Sequence, residues 1–389
     1  MRTALVHDWL NGMRGGENVL EAIASIFPRS RIYTLFCDPD KISPDLLKHE
    51  IITSFIQDLP KRRSHYRHYL PLFPMAMERF DFKDFDVIIS TSHCVAKGAK
   101  TGQSNLHICY CFSPMRYVWD RFDDYFPRDK MNRVKYRIVS MLASRMREWD
   151  KRTSKRVDLF IADSNFVNAR IRDYYGRPSL VIHPPVDTDY FTPGGAGDGN
   201  YYLMAGALVP YKRVDLAIEA FRNFPDELVV TGDGPDFMRL VNNAPSNVRF
   251  TGWIDRETLR EYYRGCKALL FPGVEDFGIV PVEAQACGKP VIAFGEGGIF
   301  DTVIGPYADQ ADNYDGFKSG IFFKSRTSRA IRDAIRKFES SAFDFASIRE
   351  HALRFSKARF FREFNGFLEE SVGIFRNSGK EMIERRLMK

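Results

Sequence analysis

The segment VEDFGIVPVEAQACGKPVIA, residues 274–293, contains two glutamates, Glu275 and Glu283, that lie eight positions apart. A turn containing Gly278 separates them, and a helix is predicted from about Val280 through Cys287. A helix N-terminus offers unpaired N–H groups and the positive end of a dipole, which suit a phosphate. Carboxylates accept hydrogen bonds from sugar hydroxyls, so this turn could hold a sugar, a diphosphate and a ribose. Taken alone, the spacing favours two solvated glutamates at a helix start.

Apolar runs alternate with longer amphipathic stretches through both halves of the chain. The runs are apolar throughout, which indicates parallel sheets covered on both faces. Strand–helix alternation in each half predicts an α/β protein with two doubly wound domains, as the length of 389 residues also favours. The predicted strands are TALVHDW, DVIIST, HICYCF, LFIADS and SLVIHPPV in the first half, and YYLMAGAL, ELVVTG, VRFTGW, ALLFPG and PVIAFG in the second.

A segment rich in Gly, Asp and Pro, residues 187–200, is the predicted linker. It divides the chain into a first domain over 1–190 and a second over 198–365. From about Ser328 to its end the sequence is charged and predicted to be helical.

The composition limits the kind of protein this can be, but it does not identify a binding partner. The formal net charge of +7 fits either ordinary solubility or an anionic partner. The six cysteines form no C-x-x-C pair and lie in apolar surroundings such as ICYCF, which predicts buried, reduced thiols. The N-terminal run is too short for a signal peptide and no apolar run reaches 18 residues, so a cytoplasmic protein is expected.

Further candidate ligand-binding residues follow other predicted strands. Lys212 and Arg213 lie at a strand–helix junction, where two cations suit a diphosphate. Gly232 and Gly234 end the strand in VVTGDGP, and GMRGGE (12–17) is a Gly-rich strand-to-helix turn. The carboxyl ends of strands are where open α/β sheets bind ligands.

Together these segments resemble the family 4 glycosyltransferases of the GT-B fold, over nearly the whole chain. Nine segments carry the resemblance, in the family's order: HDWLNGMRGGE, CYCFSPMRYVWD, ADSNFV, HPPVDTDYF, LVPYKRVDLAIEAF, TGDGP, FTGW, EDFGIVPVEAQACGKPVIA and GGIFDTVI. They are most similar to bacterial mannosyltransferases that build O-antigen or exopolysaccharide repeats. The resemblance implies two Rossmann-like doubly wound domains facing a central cleft, with a C-terminal helix at about 366–389 crossing back to the first domain.

The resemblance also implies catalytic and donor-binding roles. Glu275 would contact the donor sugar and support the reacting centre, and Lys212 would neutralise the departing diphosphate. Glu283 would bind the ribose hydroxyls. Backbone N–H groups at 277–280 would hold sugar and phosphate. The implied donor-binding residues are Gly15, Gly16, Arg213, Gly232, Trp253, Phe277, Gly278, Ile279, Val280 and Glu283, and the implied acceptor-side residues are Asp8, Phe112 and Arg116.

Two positions depart from the family's pattern. Ala207 stands where many members carry a phosphate-binding arginine, as in GRLVP, and Arg213 is the candidate replacement. Phe112 stands where relatives often read CHTP, with a histidine near the reacting sugar. A retaining transfer does not require a dedicated base, because the leaving phosphate can take the acceptor's proton. None of His7, His93, His107 and His183 is assigned as a base.

Two other patterns have alternative interpretations. The D-x-D pairs at 38–40 and 187–189 lie in turn-like contexts and are interpreted as structural, so no metal site is predicted. The basic, aromatic segment within 59–80 is either a solvated face or, through residues 61–79, a surface for an anionic membrane. No nucleic-acid-binding motif accompanies it, so no nucleic acid partner is expected.

The resemblance therefore implies a retaining glycosyltransferase that moves a hexose, with mannose from GDP-mannose as the expected donor, in the synthesis of a cell-surface polysaccharide or lipopolysaccharide. The expected acceptor is lipid-linked or an oligosaccharide, at the inner face of the cell membrane, and no cofactor is required. One alternative is another GT-B enzyme, an epimerase acting on sugar nucleotides or a phosphorylase. The other is a catalytically degenerate protein that binds nucleotide sugar, an alternative that Phe112 and Ala207 keep open.

Overall fold

The computed structural model describes residues 1–194, 199–380 and 382–383. The chain divides into two compact units, the first formed by residues 1–185 together with the segment from Phe360 onward, and the second by residues 186–359. Residues 195–198 of the predicted linker lie outside the described residues, as do 381 and 384–389 of the predicted C-terminal helix. Each unit holds one parallel sheet, so the predicted doubly wound α/β class is confirmed.

The sheet of the first unit has seven parallel strands in the order β3-β2-β1-β4-β5-β6-β7. Strand β1 therefore lies beside β4, with His7 opposite Thr91, and the chain leaves these two strands in opposite directions across the sheet. The strands are β1 (Thr3–His7), β2 (Arg31–Thr34), β3 (Glu50–Thr53), β4 (Val87–Ser92), β5 (Leu106–Cys111), β6 (Leu159–Ala162) and β7 (Leu180–Val181).

Helices cover both faces of this sheet. Successive side chains of a strand point to opposite faces, so each strand contributes to two core clusters. On β1, Leu5 joins a core cluster with α1 (Gly15–Ile26) and the C-terminal helix, whereas Ala4 and Val6 join a second cluster with α4 (Phe73–Met77) and α6 (Arg133–Thr153). The helices are α1 (Gly15–Ile26), α2 (Pro44–Leu47), α3 (Arg62–His65), α4 (Phe73–Met77), α5 (Phe122–Tyr125), α6 (Arg133–Thr153) and α7 (Asn165–Tyr175).

The sheet of the second unit has six parallel strands in the order β10-β9-β8-β11-β12-β13. Here β8 lies beside β11, and the strand order again runs outward in opposite directions from this pair. The strands are β8 (Tyr201–Ala205), β9 (Glu227–Thr231), β10 (Val248–Gly252), β11 (Leu269–Phe271), β12 (Val291–Phe294) and β13 (Gly320–Phe323).

The second sheet is also buried on both faces. Tyr202 packs with Phe221 and Ile335 on one side, and Leu203 packs with Val282 on the other. The helices that follow in the chain are α8 (Val214–Phe221), α9 (Phe237–Val241), α10 (Arg256–Gly265), α11 (Ile279–Ala286), α12 (Ile299–Thr302), α13 (Ser328–Glu339), α14 (Phe345–Leu353) and α15 (Lys357–Ser378). From Phe360 onward, α15 belongs to the first unit.

Ten strands predicted from the sequence are confirmed, and β2, β3 and β13 were not predicted. Each of these three has four residues and begins with Arg31, Glu50 or Gly320, so its apolar run is too short to stand out. All six cysteines are buried and free, as predicted. Across the described residues, no helix is both long and apolar enough to cross a membrane.

Candidate active site

The candidate site of the second unit lies where β8 and β11 end side by side. Ligands of open α/β sheets bind at the carboxyl ends of such a pair, because the following loops diverge and leave a crevice. The loop after β8 carries Lys212 in a single turn of 3₁₀-helix, Pro210–Lys212, and the loop after β11 carries Glu275. Two residues 63 positions apart in the sequence are thus brought to one edge of the sheet.

Lys212 and Glu275 form an ion pair. The Nζ atom of Lys212 lies 3.0 Å from Oε1 of Glu275, and the side chains are only 17% and 19% exposed. Partial burial strengthens their attraction relative to a pair in bulk water. The ammonium also lies 6.0 Å from the ring centroid of Phe271, the last residue of β11. The ammonium of Lys212 is therefore held beside the carboxylate of Glu275 where β8 and β11 end. This place, at which the strand order reverses, is called the β8–β11 switch point.

The backbone around Lys212 leaves no room for larger residues. A Cβ atom on Gly206 would lie 3.0 Å from Nζ of Lys212, and Gly206 has a φ of +127° that favours glycine. A Cβ atom on Gly273 would lie 2.8 Å from Cα of Lys212. The loops after β8 and β11 therefore pack backbone against backbone, and this contact fixes the backbone from which the Lys212 side chain extends.

The turn ahead of α11 is held by the loop after β12. Gly278 is the N-cap of α11, with a φ of +98°. The backbone N–H of Gly298 donates to the carbonyl oxygen of Glu275 at 2.9 Å, and a Cβ atom on Gly298 would lie 2.0 Å from the oxygen of Asp276. Phe277 is buried against Phe355. The N–H groups of Ile279 and Val280 begin the helix immediately after this braced turn, as the sequence predicts.

Glu283 lies in α11 and is oriented by a buried tyrosine. The hydroxyl of Tyr263, in α10, donates to Oε2 of Glu283 at 2.9 Å, and Tyr263 has no exposed surface. Burial raises the pKa of Glu283 from 4.5 to about 7, although the hydrogen bond from Tyr263 and the charge of Arg256 oppose the shift. A carboxyl group of this kind is poised to accept hydrogen bonds once a polar ligand replaces water around it.

The raised pKa of Glu283 predicts a pH dependence of stability. The folded protein retains this proton up to about pH 7, whereas an unfolded glutamate releases it near pH 4.5. The free energy of unfolding should therefore fall as the pH rises from about 4.5 to about 7, and this group should contribute about 1–3 kcal/mol to the fall. Urea unfolding of wild type and Glu283→Gln across that range measures the difference, and any contribution from other residues is common to both. Parallel pH profiles would contradict the assignment.

Three other predicted donor-binding residues lie on the same carboxyl edge. Gly232 follows β9, and a Cβ atom there would lie 2.0 Å from the oxygen of Gly206. Trp253 directly follows β10 and is 77% exposed. Arg213 caps α8, and its guanidinium forms a two-bond pair with Asp215 at 3.0 and 3.1 Å. In this structure the cation proposed to replace the missing arginine at Ala207 is thus turned toward its own helix.

The first unit has a second polar edge, where β1 and β4 end together. Gly15 and Gly16 open α1 in the loop after β1. A Cβ atom on Gly16 would lie 3.3 Å from Phe112, which follows β5, and 3.7 Å from His7. Phe112 meets the ring of His7 edge-on at 6.5 Å between centroids. The Gly-rich turn therefore passes directly over the ring of Phe112.

His7 is a poor candidate for a base. Its Nδ1 lies 2.7 Å from Oγ1 of Thr91, and burial lowers its pKa to about 4. His107 is likewise buried, with a pKa of about 3 caused by burial. His183 contacts the carbonyl oxygen of Asp163 through Nδ1 at 3.0 Å. Each of these three histidines is therefore held by a contact within the first unit.

Asp8 is fully buried and organises the loop after β4. Its carboxylate accepts four backbone N–H groups, from His93 and Cys94 at 2.7 and 2.9 Å and from Val95 and Ala96 at 2.7 Å each. Nδ1 of His93 lies 3.1 Å from the same carboxylate. Asp8 therefore fixes the loop at the edge of the sheet where β1 and β4 end.

Removing the charge of Asp8 should weaken the first unit. Asp8→Asn replaces one acceptor oxygen by an amide that faces N–H donors, so the free energy of unfolding should fall by roughly 2–4 kcal/mol. The measurement is the denaturant midpoint and slope, with Asp45→Asn as the control, because Asp45 forms an exposed pair with Lys48. An unchanged midpoint for Asp8→Asn would show that the four contacts contribute little.

The remaining predicted residues have structural partners. Arg116 is partly exposed in the loop after β5, where its carbonyl oxygen accepts the N–H of Arg121. Asp38 of the first D-x-D pair accepts a hydrogen bond from Arg62 at 2.8 Å, and Asp187 of the second accepts one from Lys357 at 2.8 Å. Among the described residues, no group of three or more His, Cys, Asp or Glu side chains is placed to hold a metal ion.

Sequence reasoning did not identify Tyr263, Gly298 or the contact of Asp8 with the loop after β4. Gly298 belongs to the segment GGIFDTVI, which was part of the resemblance but received no role. Tyr263 lies 20 positions from Glu283, and nothing in its local sequence marks the contact. His93 was considered only as a lone histidine, since its pairing with Asp8 spans 85 positions.

The two parallel-sheet units have the fold of solved GT-B glycosyltransferases. Sucrose-phosphate synthase from Thermosynechococcus elongatus has a TM-score of 0.69 and 18% identity, over 96% of this chain and 100% of that one. HepE of Anabaena, in complex with UDP and glucose, has a TM-score of 0.65 and 17% identity, over 95% and 100%.

A glycosyltransferase family model matches each half of the chain. Residues 13–190 match Glycosyltransferase Family 4, and residues 187–358 match Glycosyl transferases group 1. Each half of the chain therefore matches a glycosyltransferase domain family, and together the two models cover residues 13–358 and support a GT4-type GT-B enzyme. An uncharacterised glycosyltransferase of Methanocaldococcus jannaschii is 31% identical over 155 residues, which are 39% of this chain and 44% of that protein. The chain spans about half, or less, of the curated relatives that it matches.

Proposed function

We propose that this protein is a glycosyltransferase that moves a hexose from a sugar nucleotide to a saccharide or lipid-linked acceptor. The observation that carries the proposal is the ion pair of Lys212 and Glu275 at the β8–β11 switch point, directly ahead of the N-terminus of α11. It places a cation, a carboxylate and unpaired backbone N–H groups at one edge. The two family models and the fold support the same class of reaction.

The residues have complementary tasks in this proposal. Negative charge develops on the departing diphosphate as the glycosidic bond of the donor breaks, and positive charge develops on the sugar ring. Lys212 and the N–H groups of α11 stabilise the former, and Glu275 contacts the sugar and stabilises the latter. Glu283 accepts hydrogen bonds from the ribose. Gly15, Gly16, Arg213, Gly232 and Trp253 remain proposed donor-binding positions, and Asp8, Phe112 and Arg116 proposed acceptor-side positions.

The proposal extends to donor and stereochemistry. We propose retention of configuration and mannose from GDP-mannose, on the basis of the sequence resemblance. Retention agrees with the apolar ring of Phe112, because the leaving phosphate can then take the acceptor's proton. An acceptor at an anionic membrane surface, reached through residues 61–79, would suit the exposed Lys61, Arg63 and Arg67 of that segment.

The test is a panel of GDP-, UDP- and dTDP-sugars with the full chain. Thermal shift identifies the nucleotide, since a ligand at 100 times its Kd stabilises the folded state by about 2.7 kcal/mol. Transfer of a radiolabelled sugar to saccharide and lipid-linked acceptors then measures activity, and NMR of the product gives the anomeric configuration. Transfer with retention, also in the presence of EDTA, would support the proposal. Epimerised donor, phosphorolysis or an inverted product would contradict it.

A second candidate function is binding of a nucleotide sugar without transfer, and the observation that favours it is Phe112 packed between His7 and Gly16. Phe112→His separates the two. In an active enzyme, the change should preserve the fold and alter the single-turnover rate only modestly, because the phosphate accepts the proton. In a degenerate binder, wild type should bind a sugar nucleotide without turnover, and the histidine would be the change able to restore it. A wild type silent with every donor that binds would favour the second candidate.

A further inference from the structure

His93 is a partly exposed histidine at the polar edge of the first unit. It directly follows β4, where β1 and β4 end together. Its side chain is 35% exposed, whereas His7 at the end of β1 and His107 in β5 are buried. Open α/β sheets bind ligands at the carboxyl ends of such a strand pair. Of these three histidines, His93 is therefore the one that a ligand can reach.

The carboxylate of Asp8 orients the imidazole of His93. Nδ1 of His93 lies 3.1 Å from Oδ2 of Asp8, which has no exposed surface. The same carboxylate already accepts the backbone N–H groups of residues 93–96, so its oxygens do not need the imidazole as a donor. An ionised carboxylate only accepts hydrogen bonds, so Nδ1 carries the proton in this contact. In a neutral imidazole Nε2 is then the acceptor, and it points away from Asp8.

Trp9 holds the imidazole from a second direction. The rings of Trp9 and His93 meet edge-on, with 4.7 Å between centroids and 85° between planes, an arrangement that aromatic pairs favour. Trp9 is itself packed against Phe36, Tyr66 and Phe73, with centroid distances of 6.3, 5.4 and 5.9 Å. Two independent contacts therefore fix the direction of the imidazole before any ligand binds.

The backbone of His93 adjoins that of Phe112. Ser92 pairs with Cys111 in the sheet, and the N–H of Phe112 donates to the carbonyl oxygen of Ser92 at 2.9 Å. His93 and Phe112 are thus the first residues beyond the ends of two neighbouring strands, and both are partly exposed. This edge of the sheet offers an apolar ring and an oriented hydrogen-bond acceptor. A sugar has the complementary groups, since its ring has an apolar face and its hydroxyls are donors.

We propose that His93 binds the acceptor hydroxyl that receives the glycosyl group, with Nε2 accepting its hydrogen bond and Phe112 lying against the apolar face of the same sugar. This proposal rests on the proposed function and specifies an acceptor with a free hydroxyl beside an apolar ring face. Asp8 and Trp9 are positioning residues in it, because they act through the imidazole.

His93 orients the nucleophile in this proposal and is not the base. The acceptor oxygen forms its bond to the anomeric carbon while the bond from that carbon to the diphosphate breaks. The proton of the hydroxyl passes to the departing phosphate, as in the proposed function above. Orientation matters because a misplacement of about 1 Å can lower a rate about 100-fold.

The first experiment measures transfer by His93→Ala and His93→Gln with the donor and acceptor that the panel identifies. His93→Ala should lower kcat/KM for the acceptor about tenfold or more and leave the donor KM and the donor-induced thermal shift unchanged. His93→Gln, which keeps a hydrogen-bonding group, should recover part of this loss.

His49→Ala is the matched control for the same measurement. His49 is also a partly exposed histidine of the first unit, and its Nδ1 lies 3.0 Å from the carbonyl oxygen of Ser30. It precedes β3, at the amino edge of the sheet, so His49→Ala should behave as wild type does. Circular dichroism and melting temperatures establish that all variants fold.

The second experiment needs no donor. Saturation-transfer NMR of the full chain with the methyl α-glycosides of mannose, galactose and glucose should detect binding of at least one of them. His93→Ala should lower that signal severalfold, and His49→Ala should not.

Equal acceptor kcat/KM in wild type and His93→Ala would overturn the proposal, as would a loss that His49→Ala reproduces or that appears equally in the donor KM. No signal from wild type with any glycoside, or an equal signal from His93→Ala, would also overturn it. A wild type that binds a glycoside through His93 and transfers nothing would instead contradict the proposed function and leave the acceptor contact standing.

Discussion

Replacing Lys212 by alanine is expected to weaken the binding of the sugar nucleotide by roughly 1.5–3 kcal/mol, or about 10- to 150-fold in affinity. The change removes a cation held 3.0 Å from Glu275, and it leaves that carboxylate facing an incoming diphosphate. Both effects lower the affinity, because the attraction between Lys212 and the diphosphate is lost and the repulsion between Glu275 and the diphosphate is no longer offset. Isothermal titration calorimetry with the donor that the panel identifies, at fixed ionic strength, measures the difference.

Lys267→Ala is the matched control. Nζ of Lys267 lies 3.0 Å from Asp226 and 3.0 Å from Glu339, and its side chain is 22% exposed, against 17% for Lys212. Lys267 precedes β11, however, at the amino end of the same sheet. Its loss should therefore affect stability at least as much as the loss of Lys212 while donor affinity stays unchanged. Equal affinity in wild type and Lys212→Ala would remove Lys212 from the donor site.

Substitutions of Glu275 and Glu283 should change different kinetic parameters. Glu275→Gln keeps the shape of the side chain and removes the charge that is proposed to stabilise the sugar in the transition state, so kcat should fall about 100-fold with little change in KM. Glu283→Gln should raise the donor KM roughly tenfold and leave kcat nearly unchanged, because its contact to ribose is the same in ground and transition states. Steady-state kinetics over donor concentration distinguish the two patterns.

Tyr263→Phe tests the orientation of Glu283 separately. It removes the 2.9 Å hydrogen bond and keeps the ring, so it should raise the donor KM less than Glu283→Gln does. If Glu275→Gln changed only KM, Glu275 would be a binding residue and its proposed catalytic role would be wrong. A fall in kcat for Glu283→Gln as large as that for Glu275→Gln would likewise contradict the division of tasks.

Regular elements with continuous apolar runs were predictable from the sequence. The strand containing Leu203 and Met204 is buried on both faces, so its neighbours in the chain suffice to identify it. Helix α11 was also predictable, because a Gly turn precedes it and a β-rich run follows it. Helix α6 was not, since Val134, Ile138 and Met141 point away from the core and obscure the buried face.

The sequence by itself determined the α/β class, the parallel sheets and the residue types available for a phosphate and a sugar, because periodicity and local turn chemistry depend on near neighbours. Only the tertiary structure decided which of these residues meet. The strand order sets β8 beside β11 and so brings Lys212 to Glu275, and it sets β1 beside β4 and so places Asp8 under the N–H groups of residues 93–96. It also left Val134, Ile138 and Met141 of α6 exposed. Contacts over 63 to 88 positions depend on how a whole sheet assembles, and no local pattern in the chain encodes them.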